Sequence, residues 1–173
     1  MTDGFVLARG GGEPIGGGGP GMTLKAGVRH AAAASIFETT VGPGFDVGAH
    51  LHQTAEEFFY ILEGELDLLA FEPRVRTEDG WLKWESADGK TVVRAGPGSF
   101  MFVPTGCPHA FFNPGPAPTR MVFGVAPAGH ELYLEDLAQA VRSGGRGRDV
   151  VAEVRRRHDI HQLTPMAVRR PTG

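Results

Sequence analysis

The sequence predicts an all-β domain, in which short antiparallel strands form a single barrel and short C-terminal helices close one end. Short runs rich in aromatic and β-branched residues alternate with glycine and proline turns, a pattern typical of barrels and sandwiches. Apolar residues at helical spacing occur only in the last part of the chain. A length of 173 residues suffices for one core and is short for two. We therefore expect one domain over residues 1–173, with the barrel at 23–127 and a helical segment at 130–158.

The amino-terminal segment, residues 1–22, is predicted to be flexible. Glycine is so frequent at positions 10–21 that ordering this stretch would cost much backbone entropy, and we expect no regular element there. The turn Gly42-Pro43-Gly44 then separates the first two predicted strands. The predicted strands are residues 31–41, 46–52, two within 58–69 that reverse at 63–65, 100–103, 110–113 and 119–125.

A long connection at residues 72–92 interrupts the strand pattern. It contains charged residues, Trp81, Trp84 and an Asp-Gly turn, which together indicate an extended hairpin. The two tryptophans are predicted to cover the hairpin's own hydrophobic face. A subunit contact or a lid over a pocket is the alternative for these side chains.

The last third of the chain changes to a helical period. A first helix is predicted from Leu132, Leu134, Leu137, Ala138 and Val141. A second is predicted, after a glycine-rich break at 143–147, from Val150, Val151 and Val154. Arginines in this region are interpreted as a solvated helix face, because no aromatic residues alternate with them; they are Arg142, Arg146, Arg148, Arg155, Arg156 and Arg157.

Charge, apolar content and the cysteine count argue against several kinds of partner. A formal net charge of -3 and a pI near 6.1 give no general attraction to nucleic acid or anionic lipid. No apolar run approaches the roughly 20 residues of a membrane span, and the start has no leader pattern. A single cysteine, Cys107, excludes an internal disulfide. We expect a cytoplasmic protein without nucleic-acid or membrane partners.

Histidines and an acidic pair indicate a metal site assembled from two segments. His50 and His52 are two residues apart, so on a strand both imidazoles point to the same face and can meet one cation. His109 follows a proline-glycine turn that opens another strand. If the strand continues straight from His52, alternation places Glu56 on the same face and favours it as the carboxylate ligand. If the chain reverses at residues 53–55, the alternation starts again and does not decide between Glu56 and Glu57.

Both segments resemble the two consensus motifs of the cupin superfamily. The first is matched by Gly44, His50, His52, Glu57 and Gly64, and the second by Gly98, Pro104, Gly106, His109 and Asn113. The segment after Gly129 is also similar to the tail of small bacterial quercetin-dioxygenase-like cupins. The resemblance implies a jelly-roll barrel (double-stranded β-helix) and, by the spacing to Gly64, selects Glu57 as the fourth ligand.

The resemblance also implies a cofactor and a reaction class. His50, His52, Glu57 and His109 would hold one divalent metal with positions left open for substrate or dioxygen; iron or manganese is favoured over nickel, cobalt, copper or zinc. Cys107 is interpreted as a small rim residue and not as a ligand. By strand alternation, the apolar pocket beside the metal is predicted to be lined by Phe59, Ile61, Phe100, Phe102, Phe111 and Asn113.

The predicted function is a dioxygenase acting on a small enol, phenol-like or aromatic substrate. As in the resembled quercetinases, Glu57 is a candidate catalytic residue that takes the proton of a substrate hydroxyl. The alternatives are a non-oxidative metal enzyme, such as an isomerase, cyclase, lyase or decarboxylase, and a cupin that binds a small molecule without turnover. A homodimer is expected from the resemblance.

Overall fold

The chain folds into a β-barrel with two C-terminal helices, as the sequence predicts. The computed structural model describes residues 3–15, 21–77, 80–143 and 148–169. The strands are β1 Glu13–Ile15, β2 Gly21–Ala26, β3 Ser35–Val41, β4 Phe45–Asp46, β5 His50–Leu51, β6 Glu56–Glu63, β7 Leu66–Ala70, β8 Val93–Ala95, β9 Phe100–Val103, β10 His109–Phe112, β11 Thr119–Ala126, β12 His161–Gln162 and β13 Ala167–Val168. The helices are α1 His130–Arg142 and α2 Arg148–Arg157, and a short 3-10 helix spans Val28–His30.

Two antiparallel sheets form the walls of the barrel. The first has the strand order β1-β2-β3-β11-β6-β9, and in the second the order is β12-β5-β10-β4-β13, with β7 pairing β10 and β8 pairing β7. Alternate residues of the first sheet point inward, as Met121, Phe123 and Val125 do on β11. The rings of Phe59 on the first sheet and Phe111 on the second meet at 6.0 Å in the common core.

Three differences from the predicted elements follow from pairing across the chain. Residues 13–15 form β1 within the stretch that was expected to lack regular structure, because β1 pairs with β2. The predicted strand at 46–52 is divided into β4 and β5, each of which pairs with β10. Strands β2, β8, β12 and β13 were not predicted; they pair with β3, β7, β5 and β4 respectively. Part of the predicted flexible segment, residues 1–2 and 16–20, lies outside the described residues.

The tryptophans of the long connection bury themselves against the barrel. Trp81 and Trp84 pack with residues of β7 and β10 in a second hydrophobic cluster on the outer face of the second sheet. Trp81 donates its indole N–H to Asp46 Oδ1 over 2.8 Å, and Asp46 Oδ2 accepts a bond of 2.6 Å from Arg169 Nε. The connection therefore covers the sheet as well as its own hydrophobic face.

The two helices close one end of the barrel. Tyr133 and Leu134 of α1 and Val154 of α2 join the main core. Glu131, buried at the start of α1, accepts bonds from the backbone N–H of Val28, at 2.6 Å, and from the Ser35 hydroxyl. Among the described residues, no helix is long and apolar enough to cross a membrane.

The predicted arginine surface has one exception. Arg142, Arg156 and Arg157 are exposed, but Arg155 is only 6% exposed. Position 146 and the side chain of Arg148 lie outside the described residues.

Candidate metal centre

The structure brings together the four side chains that the sequence predicted as ligands. His50 on β5 lies directly opposite His109 on β10, and His52 follows immediately after β5. Glu57 comes from β6 in the facing sheet and points inward, whereas its neighbour Glu56 is exposed. All four residues are buried, and one potential ligand atom from each lies within 4.8 Å of the other three. The turn after His52 resets the strand parity, which is why Glu57 and not Glu56 reaches the interior.

The carboxylate of Glu57 faces two of the imidazoles. Its Oε1 lies 2.9 Å from His52 Nε2, and its Oε2 lies 3.2 Å from His109 Nε2. The rings of His50 and His109 are 4.2 Å apart between centroids. Three nitrogens and a carboxylate therefore converge from both walls of the barrel on one small volume.

Backbone carbonyls fix the orientation of all three imidazoles. The Nδ1 atom of His50 bonds Gly48 O at 2.9 Å, that of His52 bonds Asp159 O at 2.9 Å, and that of His109 bonds Cys107 O at 3.0 Å. A carbonyl can only accept, so each Nδ1 carries a proton, and in the neutral ring Nε2 then keeps its lone pair. This second layer of hydrogen bonds is typical of metal-binding histidines.

The electrostatic surroundings of the Nε2 atoms favour the binding of a cation. Those of His52 and His109 are buried and have no hydrogen-bond partner with suitable geometry among the described residues, despite their proximity to Glu57. Two nitrogen lone pairs thus face a carboxylate, an arrangement that is unfavourable unless a proton or a metal ion lies between them. The donor set contains no thiolate and suits a divalent transition metal.

The pKa values of the site follow from burial and from these contacts. Burial alone would raise the pKa of Glu57, but the neighbouring His109 and His52 hold it well below its usual range. The pKa of His50 is well below its ordinary value, mainly because the ring is buried. Glu57 is thus ionised and His50 neutral, the states that metal ligation requires. Burial would lower the pKa of His52, but the Glu57 carboxylate raises it overall, so a proton competes with a metal ion at this imidazole.

Comparison with known proteins agrees with this geometry. The family model described as Cupin matches residues 26–141, about two thirds of the chain. The chain belongs to the cupin family. No curated protein matches it.

Solved structures related to this cupin are distant in sequence. Ectoine synthase from P. lautus is 14% identical over 72% of this chain and 75% of its own, with a TM-score of 0.51. A protein with a double-stranded beta-helix domain from Klebsiella pneumoniae is 18% identical over 65% of this chain and 80% of its own, with a TM-score of 0.47. KdgF from Halomonas sp. is 12% identical over 66% of this chain and 85% of its own, with a TM-score of 0.49. At these identities the likeness concerns the fold alone.

A cavity of about 100 Å³ adjoins the cluster inside this cupin. His50 and Glu57 form part of its wall, and Phe59 and Phe111 line it as predicted. The remaining wall is mostly apolar and comes from both sheets and both helices, with Met22, Thr39, Phe45, Val47, Met121, Phe123, His130, Tyr133, Leu134, Leu137, Arg155, Ile160 and Met166. The imidazole and carboxylate cluster thus borders a largely apolar space.

Four of the predicted pocket residues lie elsewhere. Phe100 and Phe102 are 61% and 52% exposed, because Met101 and Val103 of β9 are the residues paired opposite the inward-facing Phe59 and Glu57. The predicted parity of this strand is therefore wrong. Ile61 is buried in the core away from the cavity, and the Asn113 amide is bonded to Val41 O.

The helices supply cavity residues that no sequence pattern indicated. His130 and Tyr133, three residues apart on α1, present their rings to each other at 5.3 Å between centroids. Burial lowers the pKa of His130 to about 4, so its imidazole is neutral. Arg155 and Asp159 lie about a hundred residues after His50 and His52 and about fifty after His109, and no spacing rule connects them to the site.

Cys107 does not belong to the ligand cluster. The thiol is half-buried, and burial raises its pKa, so it stays protonated. Its backbone carbonyl is the part that serves the site, through the bond to His109.

Proposed function

We propose that this cupin is a metal-dependent enzyme acting on a small organic substrate. The observation that carries this proposal is the pair of buried Nε2 atoms without a hydrogen-bond partner among the described residues, on His52 and His109, that face the Glu57 carboxylate beside a largely apolar cavity. A structural metal would need no adjoining space, whereas a catalytic one needs room for a reactant.

His50, His52, Glu57 and His109 would hold the metal. Once bound, the metal would supply a Lewis acid and, in the case of iron or manganese, redox chemistry with dioxygen. The carbonyls of Gly48, Cys107 and Asp159 keep the imidazoles aimed at the ion.

Of the possible reactions, we favour a dioxygenase acting on an enol or phenol-like substrate. The aromatic rings of Phe59, Phe111 and Phe123 would bind a planar molecule and exclude water from it. Glu57 would accept the proton of the substrate hydroxyl once the substrate relieves the contacts with His109 and His52 that lower its pKa and weaken it as a base. Substitution Glu57→Gln tests this role, because a variant that keeps its metal and full turnover would contradict it.

A non-oxidative metal enzyme is the second candidate, and the helix residues favour it. His130, neutral with a pKa of about 4, lines the cavity beside Tyr133 and could exchange a proton with a bound substrate. Isomerisation, cyclisation and elimination all need such a group in addition to a Lewis acid.

Metal analysis is the first experiment. Protein purified without added metal should contain close to one transition-metal ion per chain, and the double variant His50→Ala/His109→Ala should contain essentially none. The matched control is His161→Ala, which removes a partly exposed imidazole outside the cluster. Absence of metal from the wild type, together with no uptake on reconstitution, would overturn the proposal and leave a binding protein without turnover.

Oxygen consumption separates the two reaction classes. Protein loaded with Fe(II) or Mn(II) is mixed with small enols and phenols, while an oxygen electrode and product analysis follow the reaction. A dioxygenase consumes one dioxygen per product formed. Product formation without oxygen uptake would assign the non-oxidative class instead.

We also propose that the protein is a homodimer. Strand β9 lies at an edge of the first sheet, next to β6. Three aromatic side chains on the outer face of these two strands are substantially exposed: Phe100 and Phe102 on β9, and Tyr60 on β6. Light scattering should give twice the mass of the chain, and Phe100→Lys/Phe102→Lys should give the monomer mass. A monomeric wild type would refute this assignment.

A further inference from the structure

Arg155 is a buried cation without a counterion among the described residues. Its side chain projects from α2 and is 6% exposed, yet it forms no ion pair with any described carboxylate. The arginine side chain carries a positive charge in proteins. A buried charge without a partner is costly and is retained where it has a use.

The contacts of the guanidinium leave much of its donor capacity free. Nε donates to the Tyr133 hydroxyl at 3.2 Å, and Nη2 contacts the Met166 sulfur, which is a weak acceptor. The amino group Nη1 has no hydrogen-bond partner among the described residues. A guanidinium offers five N–H donors in a planar fork that fits the two oxygens of a carboxylate.

Another arginine of this chain, Arg169, has a carboxylate partner that balances its charge. Arg169 bonds the fully buried carboxylate of Asp46 at 2.6 Å, and that carboxylate also accepts the Trp81 indole. Arg155 has no such arrangement. Its two partners are a hydroxyl and a thioether, and neither carries a compensating charge.

Arg155 lines the cavity that adjoins the metal centre. Glu57 is the one acidic side chain among the described residues lining this space, and it is directed at His52 and His109. A divalent ion held by the cluster would leave the cavity with a net positive charge.

We propose that Arg155 binds the carboxylate group of the substrate and thereby selects a small organic anion. This assignment rests on the proposed function, since it treats the cavity as the substrate site. The carboxylate would sit against the guanidinium, and the apolar body of the molecule would lie between the phenylalanines and the metal centre. Arg155 is then the residue that sets both specificity and orientation.

The size of the cavity limits the substrate. Its volume of about 100 Å³ is several times the roughly 10–15 Å³ that one water needs. We expect a small carboxylate with an aromatic or short aliphatic body to fit this space.

The test measures binding of simple carboxylates to the metal-free protein. Calorimetric titrations compare butyrate, benzoate and phenylacetate with their uncharged amides, and inorganic phosphate is titrated in parallel. At least one carboxylate should bind about 10- to 100-fold more tightly than its amide, the discrimination expected for a hydrogen-bonded charged pair. Binding of none of the carboxylates, or of phosphate alone, would overturn the proposal.

Variants of adjacent arginines locate the charge that is responsible. Arg155→Met should remove the preference for the carboxylate over the amide, Arg155→Lys should retain part of it, and the exposed Arg157→Met should leave it unchanged. Arg155→Met should be at least as stable as the wild type, because it removes an uncompensated buried charge. Unfolding of Arg155→Met, or its retaining the full preference, would show that the residue is structural.

Metal analysis of the same variants keeps the two proposals apart. Arg155→Met should contain as much metal as the wild type, because Arg155 contacts none of the four ligands. A wild type that takes up no metal but discriminates between carboxylate and amide would contradict the proposed enzyme and support the anion site. A wild type that binds metal but does not discriminate between carboxylate and amide would support the proposed enzyme and contradict the anion site.

Discussion

Replacing Asp159 with asparagine should destabilise the folded protein by about 2 kcal/mol at neutral pH. The Asp159 carboxylate, between α2 and β12, holds the loop that follows the ligand His52. Its Oδ1 accepts the Gln53 backbone N–H at 3.0 Å, and its Oδ2 accepts the N–H and hydroxyl of Thr54 at 2.8 and 2.6 Å. Loss of the negative charge weakens all three bonds at once.

The magnitude follows from the pKa of this carboxyl. Burial alone would raise the pKa, but the bonds from Thr54 and Gln53 more than offset burial and lower it from 3.8 to about 2. That difference corresponds to about 2.4 kcal/mol in favour of the ionised form. The side chain is 26% exposed, so solvent screening brings the expected value down to about 2 kcal/mol.

The sign of the pH dependence is fixed by the same quantities. The folded pKa lies below the unfolded one, so the contribution is fully present above about pH 4. It is lost as the pH falls through about 2. The difference between the wild type and Asp159→Asn should therefore be constant from pH 7 to 5 and should shrink below pH 4.

Urea unfolding followed by tryptophan fluorescence measures this difference, since Trp81 and Trp84 are both buried. Asparagine is chosen because Asp159 has a φ of 58°, a conformation that asparagine tolerates, and because the backbone carbonyl that bonds His52 is retained. Asp136→Asn, which alters a 43% exposed carboxylate, is the control and should change stability much less. A loss for Asp159→Asn below about 0.5 kcal/mol, or one independent of pH down to 3, would refute the reasoning.

The remaining predictions concern packing and the metal. Gly27→Ala would place a Cβ 2.1 Å from Glu131 Oε1 and should destabilise the protein by about 1–3 kcal/mol, seen as a lower urea midpoint; an unchanged midpoint would show that the 3-10 turn shifts freely. Trp81→Phe removes the indole donor from buried Asp46 and also part of the volume of a fully buried side chain, so it should cost at least about 1–3 kcal/mol by the same measurement; an unchanged midpoint would mean that neither the bond nor the packing of the indole contributes. Removal of the bound metal by a chelator should lower the melting temperature by roughly 5–15 °C, and readdition should restore it; an identical melting curve would contradict a site inside the folded barrel.

The sequence alone determined the fold class and the identity of the clustered side chains. The spacing of His50 and His52 placed two imidazoles on one face, and the order of glycines and prolines around His109 placed the third beside them. These are local properties of strands and turns, because side-chain direction in a strand depends only on parity and on the turns that reset it.

Strand alternation did not predict side-chain direction correctly where a turn or the register between two strands decides it. Alternation could not distinguish Glu57 from Glu56. Glu57 is paired with Val103 of the neighbouring strand β9, and this register shows that Glu57 is the residue that points inward. The same register turned Phe100 and Phe102 outward. Register is a relation between two strands, and neither strand's sequence contains it.

Only the tertiary structure decided what surrounds the cluster. Asp159 and Arg155 come from a helical segment that looks like an ordinary charged surface in the sequence, and one arginine of that group is buried while its neighbours are exposed. The helices return to the barrel through β12 and β13, which brings a carbonyl to His52 and a guanidinium to the cavity wall. The physical reason is that a ligand set can be specified by short-range spacing, whereas the walls of a closed cavity are set by which distant segments share one core.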